Sequence, residues 1–165
     1  MKRLLCLALA LAAVLAGCGL VQRAAEQEPP LRLYYCYAEA EIGPYDGEDG
    51  ALGCETDGLI STNATVDQVL SRYWKGPETE TLRRPFPGAV TVEQWSLEDG
   101  CLLLTMSEET ESLVGFDRTL LAACLVKTLV QLPSVESVVL TTGQEEIAGG
   151  IFNTALTAED FLLVS

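Results

Sequence analysis

The 165-residue sequence predicts an α+β fold: a mixed, largely antiparallel sheet with two helices packed on one face, in the order β-β-α-β-β-α-β. Three observations carry this. Val66, Val69, Leu70, Tyr73 and Trp74 recur at spacings of three and four behind a capping box, the pattern of an amphipathic helix. Asp99-Gly100 separates two apolar runs, the mark of an antiparallel hairpin. Leu120 to Leu132 carries a wide apolar stripe closed by Pro133, as expected of a core helix lying across a sheet.

The elements follow in order. Leu31 to Tyr37, rich in large apolar and aromatic residues, is the first strand. A loop with Gly43-Pro44, Asp46-Gly47 and Asp49-Gly50 leads to a weaker strand from Leu52 to Ile60, interrupted by Gly53 and Gly58. Thr65 caps the first helix and Gln68 reaches back to it; Lys75 suits the negative end of the helix dipole and Gly76-Pro77 stops the helix. Glu78 to Arg84 is polar, and Pro85-Phe86-Pro87-Gly88 continues neither helix nor strand. Val90 to Leu97 and Cys101 to Met106 flank the Glu98-Asp99-Gly100 turn as hairpin strands. Asp117 is the expected N-cap of the second helix. Val135 to Thr141 is the last strand, with Val138 and Leu140 on one face, and Gly149-Gly150 opens an irregular tail that ends in Phe161-Leu162-Leu163-Val164.

Ahead of these elements lies an address. Lys2 and Arg3 precede an uncharged apolar run from Leu4 to Gly17, too short to cross a bilayer and typical of an export signal. Leu15-Ala16-Gly17-Cys18 resembles a bacterial lipobox, which implies diacylglyceryl modification of Cys18, further acylation of the palmitate type and cleavage just before it. Two acyl chains, each worth about 0.8 kcal/mol per buried CH₂, anchor stably to a membrane. Residues 1–17 are therefore expected to be a signal peptide, 18–30 a lipidated cysteine and tether, and 31–165 a single domain. A flexible chain of that tether's length spans on the order of 20 Å, so the domain is expected to be extracytoplasmic and close to the membrane.

Charge and composition narrow the function. There are 10 basic and 24 acidic residues and no histidine, for a net charge of −14. Removing Lys2 and Arg3 leaves 8 basic residues against the same 24 acids, or −16. Such a chain repels nucleic acid and anionic headgroups, which leaves lipid as the anchor. Without histidine, Ser-His-Asp and Cys-His catalysis and His-ligated metals are excluded.

The helix ending in Gly76-Pro77, the Pro85-Phe86-Pro87-Gly88 segment, and the Asp99-Gly100 hairpin before Ser107-Glu108-Glu109 occur in a distinctive order. So do the Leu129-Val130-Gln131-Leu132-Pro133 helix end before Val135 and the late Gly149-Gly150. In this order and behind a lipobox, they resemble the GerMN domain of the sporulation and spore germination family. The resemblance implies a small non-catalytic domain, similar to ring-building modules, that serves as a protein interaction unit in a sporulation, germination or cell-envelope assembly. The chain departs from the family in its cysteine content, in the acidic loop Asp46 to Asp49, and in carrying one unit where the founding member has two. A small glycan- or solute-binding lipoprotein is the alternative, although such proteins usually need more chain than is present here.

With Cys6 removed and Cys18 lipidated, Cys36, Cys54, Cys101 and Cys124 remain, and four cysteines allow three pairings. Cys36 with Cys54 is the favoured disulfide, because both lie on the first two strands; the competing reading is four small buried thiols. Asp46, Glu48, Asp49 and Glu55 lack the spacing of a calcium loop, so no metal and no cofactor is expected. Glu108, Glu109 and Glu111 read as the charged lead into a helix. Tyr34, Tyr35, Tyr37, Tyr73 and Trp74 could form an aromatic platform, but alternation sends Tyr34 to one strand face and Tyr35 and Tyr37 to the other, so about half belong to the core. The expected partner is an envelope protein, and sheet edges could also pair between copies.

Overall fold

Eight regular elements alternate along the chain in a computed structural model that describes residues 28–38, 51–142 and 151–161. They are β1 (Leu33–Tyr37), β2 (Leu52–Glu55), α1 (Val66–Tyr73), β3 (Leu82–Arg83), β4 (Val92–Glu98), β5 (Cys101–Met106), α2 (Phe116–Leu129) and β6 (Ser137–Thr141), with 3-10 turns at Glu108–Ser112 and Ala158–Phe161. Residues 1–17, expected to be a signal peptide, and Cys18, Asp46, Glu48, Asp49 and Gly149-Gly150 lie outside the described residues. The α+β class, the two helices and the mostly antiparallel pairing match the sequence expectation.

The strands divide into two three-stranded sheets, ordered β2-β1-β3 and β4-β5-β6, with β5 and β6 parallel. α2 explains the division. Every residue from Leu120 to Val126 is buried, so the helix is apolar around its circumference and not along a single stripe. It packs against β1 of one sheet and β6 of the other, which lets one helix close two cores.

Local chemistry sets the boundaries. Thr65 Oγ1 accepts from the Gln68 N–H at 3.3 Å and Gln68 Oε1 accepts from the Thr65 N–H at 2.9 Å, completing the capping box. α1 ends at Tyr73, so Lys75 falls beyond it, and the basic residue of its last turn is Arg72. β2 stops at Glu55, short of Ile60, because Asp57 Oδ1 accepts from the Leu59 and Ile60 N–H groups and curls the backbone into an Asx turn. α2 is capped by Gly115 with φ 52, and Asp117 sits inside its first turn, where a negative charge still favours the dipole. The hairpin turn has φ 47 at Asp99 and 80 at Gly100, the two positive values of a type I′ turn. A Cβ at Gly100 would also come within 3.0 Å of the Glu136 side chain.

Two segments expected to be irregular are ordered against the sheets. Residues 28–30, the end of the expected tether, meet residues 61–63: Pro30 bridges Ser61, and Glu28 accepts from the Ser61 hydroxyl at 2.8 Å and from Asn63 Nδ2. In the tail, Leu156 exchanges two 2.9 Å backbone hydrogen bonds with Val138 and so covers the outer edge of β6. The polar stretch before Pro85 supplies β3, which pairs Leu82 and Arg83 with Tyr37 and Cys36.

Candidate interaction surface

α1 presents Val66, Val69, Leu70 and Tyr73 to the core and leaves Asp67, Gln68 and Ser71 in solvent. On either side of this exposed ridge lies a groove. One, about 440 Å³, runs between α1 and β4 past Leu70, Trp74, Thr91, Glu93 and Trp95. The other, about 410 Å³, is bounded by Asp57, Leu59, Ile60, Arg72 and Lys75. Both share Asp67 and Ser71, which makes the ridge and its flanks one continuous surface.

Two apolar groups stand at its rims. Trp95 is 38% exposed, and its Nε1–H donates to Asp67 Oδ1 at 2.8 Å, fixing the indole at the mouth of the first groove. Leu59 is 88% exposed on the turn that Asp57 organises. Apolar groups exposed among polar ones are what a protein-binding surface offers.

The charged groups beside the second groove are committed to structure. Arg72 Nε donates to Asp57 Oδ2 at 2.5 Å, its Nη2 reaches Glu55 Oε1 at 3.1 Å and Glu78 Oε1 at 3.4 Å, and its Nη1 holds the Gly76 carbonyl at 2.8 Å. Burial works to raise the Glu55 and Asp57 carboxyls and is outweighed. Backbone N–H groups of Thr79 and Glu78 and the Arg72 guanidinium hold Glu55 below the usual carboxylate range. The Leu59 N–H and Arg72 do the same for Asp57. Glu55 is therefore a structural anion, and among the described residues no group of three histidines, acids or thiols is placed to bind a metal ion. Sequence reasoning missed Arg72; the available signal was a cation on the edge of the apolar stripe of α1, where it must find carboxylates.

The aromatic platform resolves into core. Tyr34, Tyr35 and Tyr73 are buried; Tyr35 and Tyr73 stack with centroids 4.8 Å apart, and Phe86 and Trp74 extend the cluster. Burial raises both stacked phenols well above their ordinary value, so they remain neutral donors. Tyr73 OH donates to the Tyr34 carbonyl at 2.9 Å, leaving Tyr37 and Trp74 as the partly exposed members. Glu108, Glu109 and Glu111 form the 3-10 turn before α2, and Glu111 Oε1 accepts from the Thr142 hydroxyl.

The favoured Cys36–Cys54 pairing is not present. Among the described residues, Cys36, Cys54, Cys101 and Cys124 are unbonded in this structure. The register sets Cys36 across from Leu52 and Cys54 across from Tyr34, making the two cysteines diagonal neighbours. Diagonal positions on paired strands lie about 7–8 Å apart, beyond the reach of a relaxed disulfide. Cys54 faces solvent, Cys101 is half-buried at the start of β5, and Cys36 meets Cys124 in the core.

Residues 42–148 match the Germane family, described as sporulation and spore germination. The chain belongs to this family. Among solved structures, this GerMN-type chain is similar to the first GerMN domain of the sporulation protein GerM from Bacillus subtilis, with 18% identity, a TM-score of 0.57, and coverage of 79% of this chain and 98% of that one. It is also similar to the tandem GerMN domains of the same protein, with 20% identity, a TM-score of 0.53, and coverage of 81% of this chain and 45% of that one. The GerMN-type chain thus spans about half the length of the tandem structure. At these identities the likeness shows a shared fold. No curated protein matches the chain.

Proposed function

We propose that this GerMN-type chain is an exported lipoprotein, held at the outer face of the cell membrane by lipid on Cys18, whose domain docks an envelope or sporulation protein through the α1 ridge and its two grooves. Its role is to hold an assembly together and not to catalyse a reaction. The observation that carries the docking surface is the pair of open grooves that share Asp67 and Ser71 and are rimmed by Trp95 and Leu59. Small-molecule sites enclose most of their ligand, whereas these grooves lie open along a helix, which favours a protein partner over a solute or glycan. Family membership supports an assembly setting, since the B. subtilis relative is a sporulation protein. The lipobox supports the anchor, with residues 1–17 as the removed signal and the tether shortened by the contacts of residues 28–30.

Photo-crosslinking from position 71 in membranes tests the surface. A discrete protein adduct, weakened by Trp95→Ala and Leu59→Ser, is the expected result, and the absence of any adduct in both growing and sporulating cells rejects it. Incorporation of a labelled fatty acid that is lost in Cys18→Ala tests the anchor.

A further inference from the structure

The four cysteines differ sharply in placement. Cys36 on β1 and Cys124 on α2 are 2% and 0% exposed, and their sulfurs lie 4.0 Å apart. The elements that carry them are fixed to each other by a buried bond, in which the Tyr34 N–H donates to Thr128 Oγ1 at 3.0 Å, one helical turn beyond Cys124. The same hydroxyl donates to the Cys124 carbonyl at 2.7 Å. Cys54 instead points to solvent from β2, and Cys101 opens β5 in the other sheet. One pair of thiols is thus held face to face between a strand and a helix 88 residues apart in sequence.

We propose that Cys36 and Cys124 form an intramolecular disulfide that fastens α2 to the first sheet, with Cys54 and Cys101 remaining thiols. Closing the gap from contact to a bond of about 2.05 Å requires an approach of roughly 2 Å, within the range of side-chain rotation. The oxidant is a small or protein disulfide of the exchange type, which an exported chain meets outside the cytoplasm. The Cys36 thiolate attacks one sulfur of that donor and expels the other as a thiolate, leaving a mixed disulfide. The Cys124 thiolate then attacks the Cys36 sulfur and expels the second donor thiolate. Two cysteine thiols lose two electrons and two protons, and the donor becomes two thiols. In the closed core the two thiols differ in their surroundings. The hydrogen bond with Cys124, with Arg83 across the β3 pairing, lowers the Cys36 thiol against its burial. Burial raises that of Cys124. Because the core shields both sulfurs, exchange takes place as the chain folds or when β1 parts from α2.

The test refolds the denatured, reduced full chain with a mixture of oxidised and reduced glutathione, then alkylates it and digests it after Arg and Glu, which separates Cys36 from Cys54. Mass spectrometry is expected to find Cys36 joined to Cys124 and both Cys54 and Cys101 alkylated. Closing so long a loop is expected to raise the melting temperature by about 10 °C relative to the reduced chain. The Cys54→Ser/Cys101→Ser variant, which leaves the core untouched, should show the same shift on reduction. Alkylation of Cys36 and Cys124 after refolding, linkage of either to Cys54 or Cys101, or a melting temperature indifferent to reductant in that double variant overturns the proposal. None of these readouts depends on the lipid anchor or on a protein partner.

Discussion

The two three-stranded sheets are equal in strand number but opposite in how they meet water. In the first, β1 is buried from Leu33 to Cys36 on both faces, and helix side chains seal its edge beyond the short β3. Gln131 acts as a surrogate strand, its Oε1 accepting from the Arg32 N–H at 2.9 Å and its Nε2 donating to the Arg32 carbonyl at 2.7 Å. Two residues along the same edge, the Tyr34 N–H goes to Thr128 and the Tyr34 carbonyl to Tyr73. In the second sheet the tail covers β6, but β4 ends the sheet and is exposed over most of its length. A buried strand must find a partner for each backbone polar group, whereas water satisfies an exposed edge without help. The first sheet therefore serves as the anchor of the fold, and the second carries a surface that is free to engage something else.

Substitutions on the two sides should separate these roles. Arg72→Met is expected to have the largest effect, about 3–5 kcal/mol by chemical denaturation, because it strands the nearly buried carboxylates of Glu55 and Asp57 without their cation. The same pair makes the first sheet sensitive to acid. Both folded carboxyls titrate below their unfolded values of about 4, so their stabilisation is complete above that value and is lost as pH falls through the lowered folded values. Melting curves between about pH 7 and pH 3 should show this loss, and Glu55→Gln should flatten it.

Tyr73→Phe should cost about 1–3 kcal/mol, since it keeps the stacked ring but leaves the buried Tyr34 carbonyl without its donor. Gln131→Ala should cost about 1 kcal/mol, because water can partly replace the amide at the exposed Arg32 backbone; hydrogen exchange at Arg32 should accelerate with it. Trp95→Ala on β4 is expected to stay within about 0.5 kcal/mol in stability while weakening crosslinking from position 71. A loss of several kcal/mol at Trp95, or none at Tyr73, would erase the contrast between the sheets.

Much of the scaffold was legible in the sequence because its signals are local. The Thr65 capping box, the Asp99-Gly100 turn and the Val138/Leu140 alternation each involve residues within a few positions of one another, and all three stand in the structure. Asp57 shows the limit of such reading. Two glycines made the Leu52 to Ile60 strand look merely weak, whereas an Asx turn ends it at Glu55. At α2, Asp117 looked like the cap because its side chain is the type that caps helices, but Gly115 takes the cap position two residues earlier. The candidate surface was less legible. Trp95 lay within a predicted strand with no sign that its indole would rest on Asp67, 28 residues away.

The sequence by itself determined seven of the eight elements and their order, the family likeness and the exclusion of histidine chemistry, since each follows from composition or short-range spacing, whereas β3 went unread. Only the tertiary structure decided that one helix would serve two sheets, that Gln131 would close an edge 99 residues upstream, and that Cys36 would face Cys124 and not Cys54. These are pairings between distant segments, selected by the requirement that every buried polar group and every apolar face find a partner at once, and no local pattern along the chain encodes which distant partner that is.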